Sequence, residues 1–313
     1  MDMGTYVIGD IHGCYDEWME LKERIEKLDS EARFVLVGDI VDRGPKVMEM
    51  INWAMENITE NGKYQMIVGN HEQEKIEWFA EFLEFRETHP WADYRIWRSD
   101  HYDFQRTLKK NRIFQEQVKA IVKFFDSLPI YKELYIDTGK RRGRQHYVIV
   151  HAYLPPECVN KDETVKKSAL KFPANLKDVE RFSDVMDRRS EVIWHRNYCG
   201  YKWLKSTIVL HGHTPTISED IFAVRAESGR ICYQQNDINL DCGLVYRTES
   251  SNLAAIRLED LQEFYLYPVD QETEDKYDRI ARQAQKRARQ ELLNLIHGKR
   301  SLFSRTEVNV ICP

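Results

Sequence analysis

The sequence predicts an α/β fold built on a parallel sheet, with an all-helical insertion after the third strand. Three observations predict it. The apolar runs Tyr6-Val7-Ile8, Phe34-Val35-Leu36-Val37 and Met66-Ile67-Val68 each end in glycine followed by a polar residue: Gly9-Asp10, Gly38-Asp39, Gly69-Asn70. Helical patterns separate these runs, and a strand–helix–strand order implies parallel pairing with a right-handed crossover. From residue 72 to about 130, strand signals stop and aromatics accumulate.

The first run leads through Gly13 into Trp18, Leu21, Ile25 and Leu28, whose spacings of three and four mark an amphipathic helix. The run at 34–37 is the second strand. Pro45 suits a first helical turn, and Val47, Met50, Ile51 and Ala54 line one face of the next helix. Asn61-Gly62 signals a turn before the third strand, residues 64–68.

Within the insertion, Ile76, Phe79, Ala80 and Leu83 have helical spacing, as do Val118, Ile121, Val122 and Phe125. Its aromatics read as a small helical core that overhangs the strand ends. Leu128-Pro129 closes it. Strands resume at Leu134–Ile136 and Tyr147–Val150, joined by a hairpin turn over 139–144. Residues 155–190 read as loops and short helices, followed by a strand at Thr207–Leu210. Antiparallel strands are expected at 238–241, 253–258 and 263–267. From about 271 a basic helix carries Arg279, Arg282, Lys286, Arg287 and Arg289, then Leu292, Leu293, Leu295 and Ile296. The expected organisation is one domain over residues 1–270, with its insertion at about 72–130, and a basic helix and tail over 271–313.

The chain has 313 residues, of which 42% are hydrophobic and 31% charged, with a net charge of −5. That length gives ample core. The mildly acidic balance offers no support for a nucleic-acid or membrane partner. The N-terminus lacks the basic and apolar regions of a secretion signal, and no run approaches the roughly 18 apolar residues of a membrane span. Six scattered cysteines (Cys14, Cys158, Cys199, Cys232, Cys242, Cys312) include no Cys-x-x-Cys pair. They read as free thiols in a reducing compartment, which makes the cytoplasm the expected location.

The chemistry gathers at strand ends. Asp10 and His12 follow the first run, Asp39 the second and Asn70 the third; His151 follows the run at 147–150, and His213 the run at 207–210. Carboxylate, imidazole and amide oxygen suit divalent ions such as Mn²⁺, Fe²⁺ or Zn²⁺ and are unlike a thiolate site. Six such groups exceed what one structural ion needs and suit two ions about 3.5–4 Å apart. Asp39, at the end of a middle strand, is the expected bridge, with a hydroxide completing it. Such a site attacks phosphorus. Arg43 and Arg196 can fork onto phosphate oxygens. His71 can protonate the leaving oxygen, and Asp42 can hold its imidazole in the right tautomer. His89, His101, His146, His195 and His297 lack such context and read as surface or structural. His211 either supports a neighbouring ligand or belongs to its loop alone, while Asp241 is expected to brace the site or its loop.

These blocks resemble a known family. Gly9-Asp10-Ile11-His12-Gly13, Gly38-Asp39-Ile40-Val41-Asp42-Arg43-Gly44 and Gly69-Asn70-His71-Glu72 resemble the three signature blocks of the phosphoprotein phosphatase family of metallophosphoesterases. His151-Ala152 and His211-Gly212-His213-Thr214-Pro215 resemble its two later histidine blocks. Val192–Arg196 and Asn239–Gly243 are similar to the bacteriophage lambda protein phosphatase branch. The resemblance covers roughly residues 5–260. It implies a metallophosphatase-type β-sandwich flanked by helices, four layers in the order α/β/β/α, here with a helical cap. It also implies a dinuclear, often Mn²⁺-dependent centre that hydrolyses phosphomonoesters directly, without a phosphoenzyme. By position, Asp10, His12 and Asp39 match one metal site, and Asp39, Asn70, His151 and His213 the other. Arg43, Arg196, His71 and Asp42 match the phosphate-binding and acid positions. The insertion is longer than in the phage enzyme, and the basic tail has no counterpart in it.

Two functions are therefore expected ahead of others. The first is a Ser/Thr protein phosphatase acting on a phosphorylated protein. The alternative is a diadenosine tetraphosphate hydrolase or another nucleotide phosphatase, which an aromatic cap could serve by stacking adenine. A catalytically silent binding module would require a damaged site, and every position is filled.

Overall fold

Two five-stranded mixed sheets carry the fold. The computed structural model describes residues 3–97, 102–139, 143–167, 190–196, 200–217, 229–269 and 276–299. In chain order the elements are β1 (Thr5–Ile8), α1 (Tyr15–Leu28), β2 (Arg33–Leu36), α2 (Val47–Asn57), β3 (Tyr64–Met66), α3 (Asn70–Thr88), α4 (Tyr102–Lys110) and α5 (Gln115–Asp126). There follow β4 (Tyr131–Ile136), β5 (Gln145–Val150), β6 (Ile208–His211), β7 (Cys232–Gln234), β8 (Asp237–Asn239), β9 (Ala254–Arg257), β10 (Gln262–Tyr265) and α6 (Lys276–Ile296).

The first sheet runs β10-β9-β1-β2-β3 and the second β4-β5-β6-β8-β7. Pairing is parallel for β1–β2, β2–β3, β5–β6 and β6–β8, and antiparallel toward the remaining edges. Because side chains alternate along a strand, each sheet has two apolar faces. Val7, Val35, Ala254 and Ile256 of the first sheet share one core with Tyr147, Ile149, Ile208, Leu210 and Ile238 of the second. The alternate residues Tyr6, Ile8, Phe34 and Leu36 pack with Trp18, Leu21 and Ile25 of α1 and Met50, Ile51 and Ala54 of α2. The expected α/β sandwich with flanking helices is the observed one.

Several local readings need correction. Leu28 ends α1 but is 62% exposed, so the helix buries only Trp18, Leu21, Lys22 and Ile25. In α3 the buried face is Lys75, Trp78, Phe79 and Phe82; Ala80 and Leu83 point to solvent. Apolar spacing admitted both faces, and packing against α5 selects one. β4 begins at Tyr131, three residues before its expected start, and the three-residue β7 was not expected. The insertion's aromatics do form a core: Trp78, Phe79, Phe82, Phe104 and Phe125 are at most 2% exposed.

The basic C-terminal helix is a packing element over its described part. Leu292 and Ile296 of α6 are buried in the inter-sheet core. The Tyr233 N–H donates to Gln285 Oε1 at 2.6 Å, and Arg289 Nη2 donates to the Leu261 carbonyl at 2.8 Å. Thr138 Oγ1 donates to the Ile296 carbonyl at 2.6 Å. These bonds tie α6 to edges of both sheets, which covers strands that would otherwise offer unpaired backbone. The four described cysteines, Cys14, Cys158, Cys232 and Cys242, are buried free thiols. Among the described residues no helix is long and apolar enough to cross a membrane. Readings that fall on 140–142, on 168–189, on His101, Cys199 and Cys312, and on 270–275 and 300–313 lie outside the described residues.

Candidate metal centre

The six strand-end groups come from turns after β1, β2, β3, β5 and β6, all at the C-terminal ends of parallel strands, where α/β sheets place ligands. The backbone there is unusual. His12 (φ 46°), Asp39 (51°), Asp42 (64°), Arg43 (64°) and His213 (67°) are all left-handed. Non-glycine residues rarely adopt that region, which costs about 1–3 kcal/mol each and persists only where surroundings enforce it. Here the turns enforce one another: the His12 N–H donates to the Asp39 carbonyl at 2.8 Å, and that of Gly13 to the Ile40 carbonyl at 2.8 Å. Glycine is required at the closest approaches. A Cβ on Gly69 would lie 2.2 Å from Asp39 Oδ1, and one on Gly212 would lie 1.9 Å from Asp10 Oδ1.

Asp39 stands at the centre. Its Oδ2 is 3.6 Å from His12 Nε2 and 3.9 Å from His71 Nε2, while its Oδ1 is 3.4 Å from His151 Nε2. It is thereby shared by two groups able to hold a cation, His12–Asp39–His71 and Asp39–His151–His213. Asn70 Oδ1 adds to the second, 2.9 Å from His151 Nε2 and 2.9 Å from His213 Nδ1. Asp10 lies beside the cluster without joining either group: its Oδ2 accepts the His213 N–H at 3.0 Å. Asp10 Oδ1 is buried and has no hydrogen-bond partner.

The donor chemistry fits divalent cations. His12 Nδ1 donates to the Val41 carbonyl (2.9 Å) and His151 Nδ1 to the Val37 carbonyl (2.8 Å), which turns each Nε2 toward the cluster. His213 Nε2 similarly faces the Trp194 carbonyl at 3.1 Å, leaving Nδ1 toward Asn70. Ligand atoms of His151, His213, Asn70 and Asp39 thus converge on one point, and the orphaned Asp10 oxygen adds an acceptor beside them. Protons substitute in part. Burial opposes a charge on His151, yet the adjoining Asp39 carboxylate outweighs it and pushes His151 up to about 10. Burial drives His12 and His213 down to about 3, helped by positive neighbours: His71 and Arg43 for the former, His151 and Arg196 for the latter. Asp39 is held well below the usual carboxylate range: burial works to raise it, and its histidines win.

Beside the cluster, His71 Nδ1 donates to Asp42 Oδ2 at 2.7 Å. Arg43 Nη1 donates to His12 Nε2 at 3.0 Å, and its exposed guanidinium lies 6.0 Å from the Tyr246 ring. Arg196 is half-buried near His213. The structure therefore brings Asp39, Asp42, Asn70, His12, His71, His151, His213 and Arg43 into direct contact. Asp10 is tied to His213 through the backbone, and Arg196 approaches through its charge.

Residues 3–241 match the family model for calcineurin-like phosphoesterase. The chain belongs to the calcineurin-like phosphoesterase family. Among its relatives, a symmetrical bis(5'-nucleosyl)-tetraphosphatase of Cronobacter sakazakii is 36% identical over 78 residues, 25% of this chain and 26% of that one. The match therefore spans about a quarter of that relative's length. An asymmetrical bis(5'-nucleosyl)-tetraphosphatase, PrpE, of Oceanobacillus iheyensis is 24% identical over 253 residues, 77% of this chain and 84% of that one. A solved protein serine/threonine phosphatase of Saccharomyces cerevisiae aligns over 88% of this chain and 84% of its own, with 14% identity and a TM-score of 0.45.

Two residues of this phosphoesterase carry structural weight that the sequence did not assign. Glu72, in the first turn of α3, accepts the N–H groups of Asp39 (2.8 Å), Ile40 (2.9 Å) and Gly69 (2.9 Å), locking the second and third turns together. Burial, with the Asp39 charge, pushes Glu72 up to about 7 despite those donors. Lys75 is buried and pairs with Asp42. A helix drawn from Asn70 would have placed Lys75 on the face of His71, since residues four apart align, whereas Glu72, one position on, points elsewhere. Asp241 accepts the Gly243 N–H at 3.0 Å, as expected of a loop brace, and His211 Nε2 sits 3.1 Å from the buried Asp237 carboxylate. His146 lies buried between Thr207 and Glu133, His89 stacks on Phe85, and His195 lies tilted against Tyr153 with ring centres 4.7 Å apart.

Proposed function

We propose that this phosphoesterase cleaves phosphoanhydride bonds of dinucleoside polyphosphates such as diadenosine tetraphosphate, using a two-cation centre. One observation carries the site reading: the Asp39 carboxylate offers one oxygen to His12 and His71 and the other to His151. In this reading Asp10, His12 and Asp39 hold one cation, and Asp39, Asn70, His151 and His213 the other, with Mn²⁺ the expected metal. When bound, the pair supplies Lewis acidity and lowers the pKa of a water at the site.

The chain's own groups do the rest. Arg43 and Arg196 fork onto phosphate oxygens and offset developing charge. His71 donates from Nε2 to the leaving oxygen, while Asp42 on Nδ1 keeps the proton on the correct nitrogen. The strained turns fix these groups before substrate arrives, so little reorganisation is needed during reaction. The relative matched over 77% of the chain supports dinucleoside polyphosphates as substrates. The segment Val192–Arg196, similar to the lambda phosphatase branch, keeps a phosphoprotein as the second reading, because Arg196 and the exposed Trp194 stand beside His213.

A substrate panel with Mn²⁺ separates the two. Diadenosine tetraphosphate, a phosphoserine peptide and an aryl phosphate are compared, with nucleotide products resolved by chromatography. Turnover of the dinucleotide above the peptide is expected, and AMP with ATP, or ADP alone, gives the cleavage position. Phosphate release from the peptide alone would select the phosphoprotein reading.

A further inference from the structure

We propose that Lys75 is a positioning residue for the acid pair: from inside the cap it clamps the Asp42 carboxylate that orients His71. This rests on His71 being the proton donor.

Lys75 and His71 stand one turn apart on α3, so both side chains rise from one face. They meet on a single atom. Asp42 Oδ2 lies 2.7 Å from His71 Nδ1 and 2.7 Å from Lys75 Nζ. The other oxygen, Asp42 Oδ1, is buried without a hydrogen-bond partner. Asp42 sits in a left-handed turn (φ 64°) and is 7% exposed, so neither its backbone nor solvent holds its carboxylate.

Lys75 is itself 2% exposed. A buried ammonium without a partner loses its proton, whereas this one also lies 3.2 Å from Glu74 Oε2 and 5.7 Å from the Phe104 ring. Burial opposes its charge, and the Asp42 carboxylate more than restores it. Phe104 belongs to α4 and packs edge-on against Trp78, so the clamp is continuous with the aromatic core of the insertion. A second cation on Oδ2 compensates the Asp42 charge whether or not His71 carries its extra proton. Asp42 therefore stays ionised, and aligned with the ring, after the proton has left for the substrate.

A plain anchor for the cap would predict the same contacts but different kinetics, because protonation matters only for poor leaving groups. The experiment compares 4-nitrophenyl phosphate with phenyl phosphate, whose leaving oxygen is far more basic. Lys75→Met, Asp42→Asn, His71→Asn and the Lys75→Met/Asp42→Asn pair are measured with Mn²⁺, alongside metal content and thermal midpoint. Lys75→Met is expected to lower kcat on phenyl phosphate about tenfold, part of the ~10²-fold or more that a general acid supplies. On 4-nitrophenyl phosphate the loss stays under about threefold, with KM and metal content unchanged. Adding Lys75→Met to Asp42→Asn costs nothing more, the signature of residues acting as a unit. If Met at 75 prevents folding, Lys75→Arg carries the comparison and shows the same selectivity at smaller amplitude. Equal losses on both esters, or additive losses in the pair, would overturn the role of Lys75 while His71→Asn stays leaving-group dependent. A His71→Asn enzyme indifferent to the leaving group would instead overturn the acid assignment, and this proposal with it.

Discussion

At the scale of single residues, the site depends on a few individual atoms. Asp39→Asn removes the charge that His12, His71 and His151 converge on. It is expected to abolish both metal content and turnover, read by elemental analysis beside activity; full activity would break the bridging assignment. His71→Asn is expected to keep its metal and lose about 10²-fold or more in kcat, the scale of general acid catalysis; metal loss there would break the acid assignment. Gly212→Ala puts a methyl 1.9 Å from Asp10 Oδ1. The collision should cost about 1–3 kcal/mol by overpacking and reduce metal retention, measured by denaturant melts and dialysis. The gathering of Asp10, His12, Asp39, Asn70, His151 and His213 at strand ends was legible because a polar ending on an apolar run, through glycine in every case but His151, is written locally. Glu72 and Lys75 were not, because their meaning is a partner more than thirty residues away, at Asp39 and Asp42.

At the scale of elements, the same distinction recurs. α2 buried its expected face, since Val47, Met50, Ile51 and Ala54 repeat with helical period. α3 did so only in part: Phe79 is buried and Ile76 packs on the core while Ala80 and Leu83 are exposed, because the neighbouring helix decides which apolar residues it covers. The three-residue β7 is too short to carry a period at all. A further contact out of reach of sequence joins the loop at Glu163 to the start of β6. The Glu163 carboxylate accepts the N–H groups of Lys205 (2.6 Å), Ser206 (3.0 Å) and Thr207 (2.9 Å). Burial opposes its ionisation, and those donors prevail, holding it at about 2. A depressed carboxylate contributes stability above its unfolded value of about 4.3, and that contribution fades as pH falls toward 2. Thermal midpoints should therefore drop across this acid window in the wild type. Glu163→Gln should flatten that limb and lose about 1 kcal/mol at neutral pH, screening by solvent included. An unchanged acid limb in the variant would assign the sensitivity elsewhere.

At the scale of the whole molecule, the α/β plan followed from alternating strands and helices and the stacking of two sheets from the family resemblance, but which residues line the space between the sheets followed from neither. That depends on which face each sheet turns inward, here Val7 and Val35 against Tyr147 and Ile149. The centre inherits this dependence. Asp10, His12, Asp39 and Asn70 follow strands of one sheet, His151 and His213 strands of the other, and no strand belongs to both. Bound cations would thus work as rivets through two separate leaves. Ligand linkage gives ~2.7 kcal/mol at a hundredfold excess over Kd, so chelation with EDTA should lower the melting temperature by several degrees and Mn²⁺ restore it. Heat resistance then becomes a gauge of how well the leaves are aligned. A substitution deep between them, far from any phosphate, would betray itself first as a loosened grip on bound metal.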